Sequence, residues 1–174
     1  MRFVYGKQEM RSLSRSQESC FLLTNGLGGY ASLTAAYSAN RCDQGVLIAA
    51  QKAPGERVTL VHRLRETLTV DGKPYWLSTQ QFADGTTPED GFRNLSFFAF
   101  ENIPHWRYHI GGVRVTRTMA MTYGQNTTAV IYKVENQSNA ACSLTVDPFV
   151  KFGPKETAIK AAPNISFSQG KVMG

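Results

Sequence analysis

Apolar and polar residues alternate along this chain in short stretches separated by turn signals, and the three-and-four spacing of an amphipathic helix is almost nowhere present. The pattern predicts an all-β protein. Residues 45–50 form a short, continuously apolar strand, and residues 57–61 make another. The run 65–70 reaches Asp71 and Gly72, a pair that tolerates the positive φ angles of a tight hairpin, and 73–79 returns. Residues 106–110, Gly111 with Gly112, and the strand from Val113 predict a second hairpin of the same kind. A third is expected to join 128–134 to 142–146 through the polar tip 135–139.

Period-two spacing also assigns faces. Trp106, Tyr108 and Ile110 fall on one side of their strand, and His105, Arg107 and His109 on the other, as in a sheet with a core side and a wet side. In 94–101, by contrast, Leu95, Phe97 and Ala99 alternate with Phe98 and Phe100, so both faces are apolar. Such a strand needs cover on two sides, either from a loop of this chain or from another domain. No Pro/Gly/Ser-rich linker and no fixed repeat divides the sequence, so one antiparallel two-sheet β-sandwich over residues 1–174 is expected. Residues 164–174 look like the start of a further strand ending in a turn-like tail, which suggests truncation at the C-terminus and a piece of a longer protein.

A chain of 174 residues that is 42% hydrophobic buries a core of ordinary size, which excludes disorder and fibres. Its 19 Lys and Arg against 13 Asp and Glu give +6, but no three basic residues run together. That spread describes a solvated surface rather than a nucleic-acid footprint. The first seven residues hold no apolar stretch of signal-peptide length, and nowhere do 18 apolar residues run together. A soluble, cytoplasmic protein is the expectation, and the odd set Cys20, Cys42 and Cys142 reads as free thiols.

Most catalytic chemistry finds no foothold. His105 and His109 lie four residues apart on a strand, about 13 Å, too far to share a metal. No metal or cofactor is implied. Glycoside hydrolysis needs two facing carboxylates, and the sequence pairs none of Glu66, Glu89, Asp90, Glu101 and Asp147. Glu89 and Asp90 read as part of a solvated turn. No serine sits in a nucleophile elbow and no cysteine stands beside a histidine.

The most unusual local feature is Asn25, Gly26, Leu27, Gly28, Gly29 and Tyr30, where three glycines in four positions allow backbone shapes closed to other residues. The spacing misses that of nucleotide-binding loops, and no Walker lysine follows. It is either a tight bend between strands or a backbone-lined edge where a ligand or domain approaches, with Asn25 and Tyr30 as hydrogen-bonding and stacking groups. Arg117 shares parity with Met119 and Met121. Either a bulge shifts it outward, or it faces inward to line an interdomain or sugar-facing groove, paired with an acid such as Glu66 or Glu101. Gln125 and Asn126 carry amides of the kind that bind sugar hydroxyls or cap a turn.

The stretch Phe21-Leu-Leu-Thr-Asn-Gly-Leu-Gly-Gly-Tyr-Ala-Ser32 closely resembles the opening motif of the N-terminal domain of bacterial and archaeal glycogen debranching enzymes, the amylo-alpha-1,6-glucosidase type. Gly45-Val-Leu-Ile-Ala-Ala50, the Arg65-Glu-Thr67 strand, Pro88-Glu89, Trp106, Gly111-Gly112-Val-Arg114 and Gly124-Gln-Asn-Thr-Thr128 follow in the same order. The resemblance implies a supersandwich like that of galactose mutarotases, followed in the family by a helical barrel that carries the catalytic carboxylates. It therefore implies a non-catalytic domain with two partners: the helical catalytic domain of the same protein, and glycogen or limit dextrin. Self-association of the fragment through an unpaired edge is a further expectation. Family members commonly carry Arg-Arg-Tyr-His-Gly before the Gly-aliphatic strand, whereas this chain reads Arg41-Cys-Asp-Gln-Gly45. Arg41 is retained, and Asp43 and Gln44 replace the aromatic and the histidine. Carbohydrate or interdomain contact is thus expected at Asn25, Gly26, Gly28, Gly29, Tyr30, Arg41, Arg117, Gln125 and Asn126. The alternatives are a stand-alone carbohydrate-binding module, or a mutarotase-like sugar epimerase using His105 or His109 with Glu101.

Overall fold

The computed structural model describes residues 3–52 and 55–155, so the tail from 164 onward lies outside the described residues. A five-stranded antiparallel sheet runs in the order β1 (Phe3–Gly6), β9 (Leu95–Phe100), β10 (Pro104–Ile110), β11 (Val113–Met121), β12 (Thr128–Asn136). The second sheet is ordered β13 (Cys142–Pro154), β5 (Glu56–Val70), β4 (Gly45–Lys52), β3 (Tyr30–Thr34), β2 (Cys20–Thr24). Strand β6 (Lys73–Trp76) also pairs with β5, and β7 (Thr79–Gln80) with β8 (Glu89–Asp90) forms a small ribbon. One short helix, α1 (Leu13–Glu18), follows β1 after a 3₁₀ turn. Two antiparallel sheets pack as a sandwich, as the alternation foretold.

The Asp71–Gly72 and Gly111–Gly112 turns have φ angles of 49° and 75°, and of 57° and 79°, which suit the right-handed twist of the flanking strands. Three expectations need correction. Residues 57–61 and 65–70 are one long strand, because β5 continues through register shifts against both β4 and β13. The return strand after Asp71–Gly72 stops at Trp76. The third hairpin does not exist: β12 pairs with β11 in one sheet and β13 with β5 in the other, so residues 137–141 cross between the sheets.

The core lies between the sheets. Trp106 meets Phe21 and Tyr37 edge-on at 5.4 and 5.1 Å and tilts against Phe98 at 5.3 Å. Its indole Nε1 donates to the Ala35 carbonyl at 2.9 Å, satisfying its one polar atom. Trp106, Tyr108 and Ile110 face this core and Arg107 and His109 face outward. In β9 a register shift opposite Arg107 and Tyr108 turns Leu95 inward together with Phe98, while the Arg107 guanidinium covers the Phe97 ring at 5.0 Å. Cover for the second face thus comes from within the chain. On one flank the outermost strands β12 and β13 leave the inward-facing Val134 and Val146 at 41% and 36% exposure.

Candidate functional site

Six backbone and side-chain bonds build the glycine-rich turn between β2 and β3 around Asn25, which is fully buried. Its Oδ1 accepts from the Leu27 and Gly29 amides at 2.9 and 3.0 Å. Its Nδ2 donates to the Gln125 carbonyl at 2.9 Å and to Asn126 Oδ1 at 3.0 Å. Its backbone NH donates to the Gly29 carbonyl, and its carbonyl accepts from Gly124 at 2.7 Å. Asn126 in turn copies a strand's pairing: Oδ1 accepts from the Ala50 amide at 3.0 Å and Nδ2 donates to the Ala50 carbonyl at 2.9 Å. One hairpin tip of the first sheet is thereby fastened to β4 and the β2–β3 turn of the second.

Close packing dictates the glycines here. A Cβ on Gly29 would lie 2.6 Å from Asn25 Nδ2 and 2.7 Å from Asn126 Oδ1. Gly26 and Gly28 take φ angles of 78° and 93°, which side chains resist. The amides of Asn25 and Asn126 are therefore engaged within the fold, and Gln125 contributes its carbonyl.

Above this turn a groove of about 500 Å³ is lined by β2, β3, the loop before β4 and Arg57 of β5. Leu22, Thr24, Gly28, Gly29, Tyr30, Ser32, Arg41, Asp43, Gln44 and Arg57 are among its lining residues. The Tyr30 hydroxyl donates to the Asp43 carbonyl at 2.7 Å, and the Arg57 guanidinium stands 5.8 Å from the Tyr30 ring. Arg57 Nε donates to the Gly28 carbonyl at 2.6 Å. The buried Gln44 accepts through Oε1 from the Asn40 and Arg41 amides at 2.9 and 3.2 Å, shaping the loop that presents Arg41 and Asp43. An aromatic face, two guanidinium groups and one carboxylate in a shallow groove suit a polyhydroxylated ligand. Among the described residues Asp43 is the one acid in that lining, whereas glycoside cleavage takes two.

The chain was compared with known proteins, and the family model of the glycogen debranching enzyme N-terminal region matches residues 20–173. The chain belongs to this family. No curated protein and no solved structure matches it. The match begins at Cys20, the first residue of β2, so the glycine-rich turn, the groove and most of the core of this debranching-enzyme N-terminal domain fall inside it, while β1, α1 and the core residue Met10 precede it.

Of the expected contact residues, the structure brings Gly28, Gly29, Tyr30 and Arg41 to the groove, with Asn25, Gln125 and Asn126 beneath it and Gly26 against the Tyr123 ring. Arg57 carries no local signal, since its groove role comes from a neighbouring strand. Arg117 lies elsewhere. No bulge interrupts β11, where Arg117 faces Trp106 on one side and Tyr132 on the other, and it lines no groove because it is wholly buried between the sheets. It pairs with Glu66, which also accepts a hydrogen bond from the Tyr132 hydroxyl. Its Nη2 donates to the Tyr108 hydroxyl at 2.7 Å, and its guanidinium sits 3.2 Å over the Tyr37 ring. Burial pushes the Glu66 carboxyl up, against the pull of Arg117, and burial also raises the phenols of Tyr37, Tyr108 and Tyr132.

The solvated turn expected at Glu89 is a second correction. Glu89 is buried, receives both Arg63 nitrogens at 2.8 and 3.0 Å, and accepts from Ser78 at 2.7 Å. His105 meets Thr118 at 3.0 Å, and His109 accepts from Arg114 at 2.8 Å. Among the described residues no helix is long and apolar enough to cross a membrane.

Proposed function

We propose that this chain is the N-terminal accessory sandwich of a cytoplasmic glycogen-debranching glucosidase, which contacts the glucan through the groove beside Tyr30 and supports a helical catalytic domain. The observation that carries this reading is the groove itself. A tyrosine ring whose hydroxyl is anchored to the Asp43 carbonyl offers a stacking face, and Arg41, Arg57 and Asp43 beside it offer donors and acceptors for sugar hydroxyls. Family membership supports a glucan as the substrate class. Removing a branch-point glucosyl residue takes an acid and a base or nucleophile across the sugar, and Asp43 is the one acid among the described groove residues, so the cleaving carboxylates are assigned to the catalytic domain.

The exposed Leu22 and Leu27, at 57% and 40%, flank the groove and provide apolar docking area for that domain. Three free cysteines fit a reducing compartment. Affinity electrophoresis through a glycogen-containing gel tests the glucan contact. Retardation that disappears in Tyr30→Ala, with the folded state retained, is the expected result. Equal mobility with and without glycogen overturns the glucan contact.

A further inference from the structure

Among the described residues four strands end the two sheets: β1 and β12 in one, β2 and β13 in the other. An unpaired edge recruits another strand unless it is short, charged, kinked or interrupted by proline. β1 has four residues and β2 five. β13 is long but carries Pro148 and Pro154, two register shifts, and Phe152 at a φ of 48°. β12 is neither short nor kinked nor interrupted by proline, and its charges are confined to Lys133 and Glu135. Its nine residues pair with β11 without a single register shift, and Ile131 and Val134 are 60% and 41% exposed. Its one lysine, Lys133, is bound to Glu135 of the same strand at 3.0 Å.

We infer that β12 is a self-complementary docking edge that takes β12 of a second copy of this chain, antiparallel about a two-fold axis through Tyr132. Centred there, all nine residues pair, with Thr128 opposite Asn136, Ala129 opposite Glu135, Val130 opposite Val134 and Ile131 opposite Lys133. Inward-facing residues meet inward-facing residues, so the half-open Val130 and Val134 cover each other twice. No like charges stand directly opposite, since Lys133 and Glu135 each face an apolar side chain. A centre one residue further along would set Lys133 against its own copy. The union continues one sheet through two protomers and leaves the groove beside β2 and β3 of each copy free, because that groove belongs to the other sheet. An edge contact of this length is at the small end of specific interfaces, so the dimer forms and dissociates with concentration.

Sedimentation equilibrium of the full chain over a wide concentration range, with Ile131→Lys and Ile131→Glu compared, tests this. Both variants lose the same apolar side chain, but in this register residue 131 faces Lys133 of the second copy. Ile131→Lys is expected to raise the dimer dissociation constant by about tenfold or more, whereas Ile131→Glu restores an opposite-charge pair and stays near the parent value. Thermal melts of the two variants at low protein concentration separate dimer loss from misfolding, since a folding defect moves both melts. A monomer at every concentration overturns the inference, as does equal weakening by the two variants with unchanged melts.

Discussion

Arg117 and Glu66, fully buried and 51 residues apart, form an ion pair that joins the middles of the two sheets. Tyr132 and Tyr108 supply further hydrogen bonds, and aromatic rings surround the guanidinium, although Arg117 Nε has no partner. Taking both charges from water is costly, and the pair recovers that cost only while both are present. Arg117→Met or Glu66→Gln alone is therefore expected to destabilise by about 3–5 kcal/mol, and the double variant by clearly less than the sum. Urea denaturation of the four proteins gives the coupling. Additive losses would show that the two side chains act independently.

Glu89 holds Arg63 and Ser78 from a strand of only two residues, so its ion pair fixes the small β7–β8 ribbon against β5. The pair is partly open, with side-chain exposures of 14% and 7%. Glu89→Ala is expected to cost about 2–3 kcal/mol, less than a fully enclosed pair, and to leave glucan binding in place. Loss of glycogen affinity in a still-folded Glu89→Ala protein would contradict a purely structural role.

The hairpin tip that reaches β4 depends on one amide. Asn126→Ala removes its three hydrogen bonds and is expected to destabilise by about 1–3 kcal/mol. Gly29→Ala drives a methyl against Asn25 and Asn126 and costs a similar amount, about 1–3 kcal/mol. Chemical denaturation checks both, and a neutral Gly29→Ala would mean that the turn yields more easily than its packing indicates.

Burial lowers the pKa of His62, and Lys151 and Arg63 add to that effect against a hydrogen bond to the backbone of Gln44, which raises it. With its folded pKa below the ordinary 6.5, His62 binds fewer protons folded than unfolded as pH falls through that region. Its contribution is fully present above the unfolded pKa and lost as pH falls toward the folded one. The decline in melting temperature between pH 7 and pH 5.5 should thus be shallower in His62→Gln. An identical decline would assign the acid sensitivity to other groups.

What the sequence revealed was local. Asp71–Gly72 and Gly111–Gly112 announce their turns because the required φ angles belong to the residues themselves, and the faces of Trp106 and Tyr108 follow from period two. The relation of β12 to β13 is not local, since two consecutive strands look alike whether they pair or cross to opposite sheets. Of the two alternatives for Arg117 the structure shows the inward one with Glu66 as its partner and no groove beside it, a choice that neighbouring residues do not make because Glu66 sits on another strand of the other sheet. Arg63 is 26 residues from Glu89, and Ala50 is 76 residues from Asn126, so neither partnership leaves a mark in neighbouring residues. The groove was half legible: the glycine-rich turn and Tyr30 stood out, while Arg57 enters from β5.

Isothermal titration of the chain with maltohexaose and with a branched limit dextrin, with reducing sugar measured in the same samples, tests the central claim most directly. The expected result is saturable binding without release of reducing ends, weakened in Tyr30→Ala and Arg57→Ala. Hydrolysis by the chain alone, or no heat with either glucan, would contradict it.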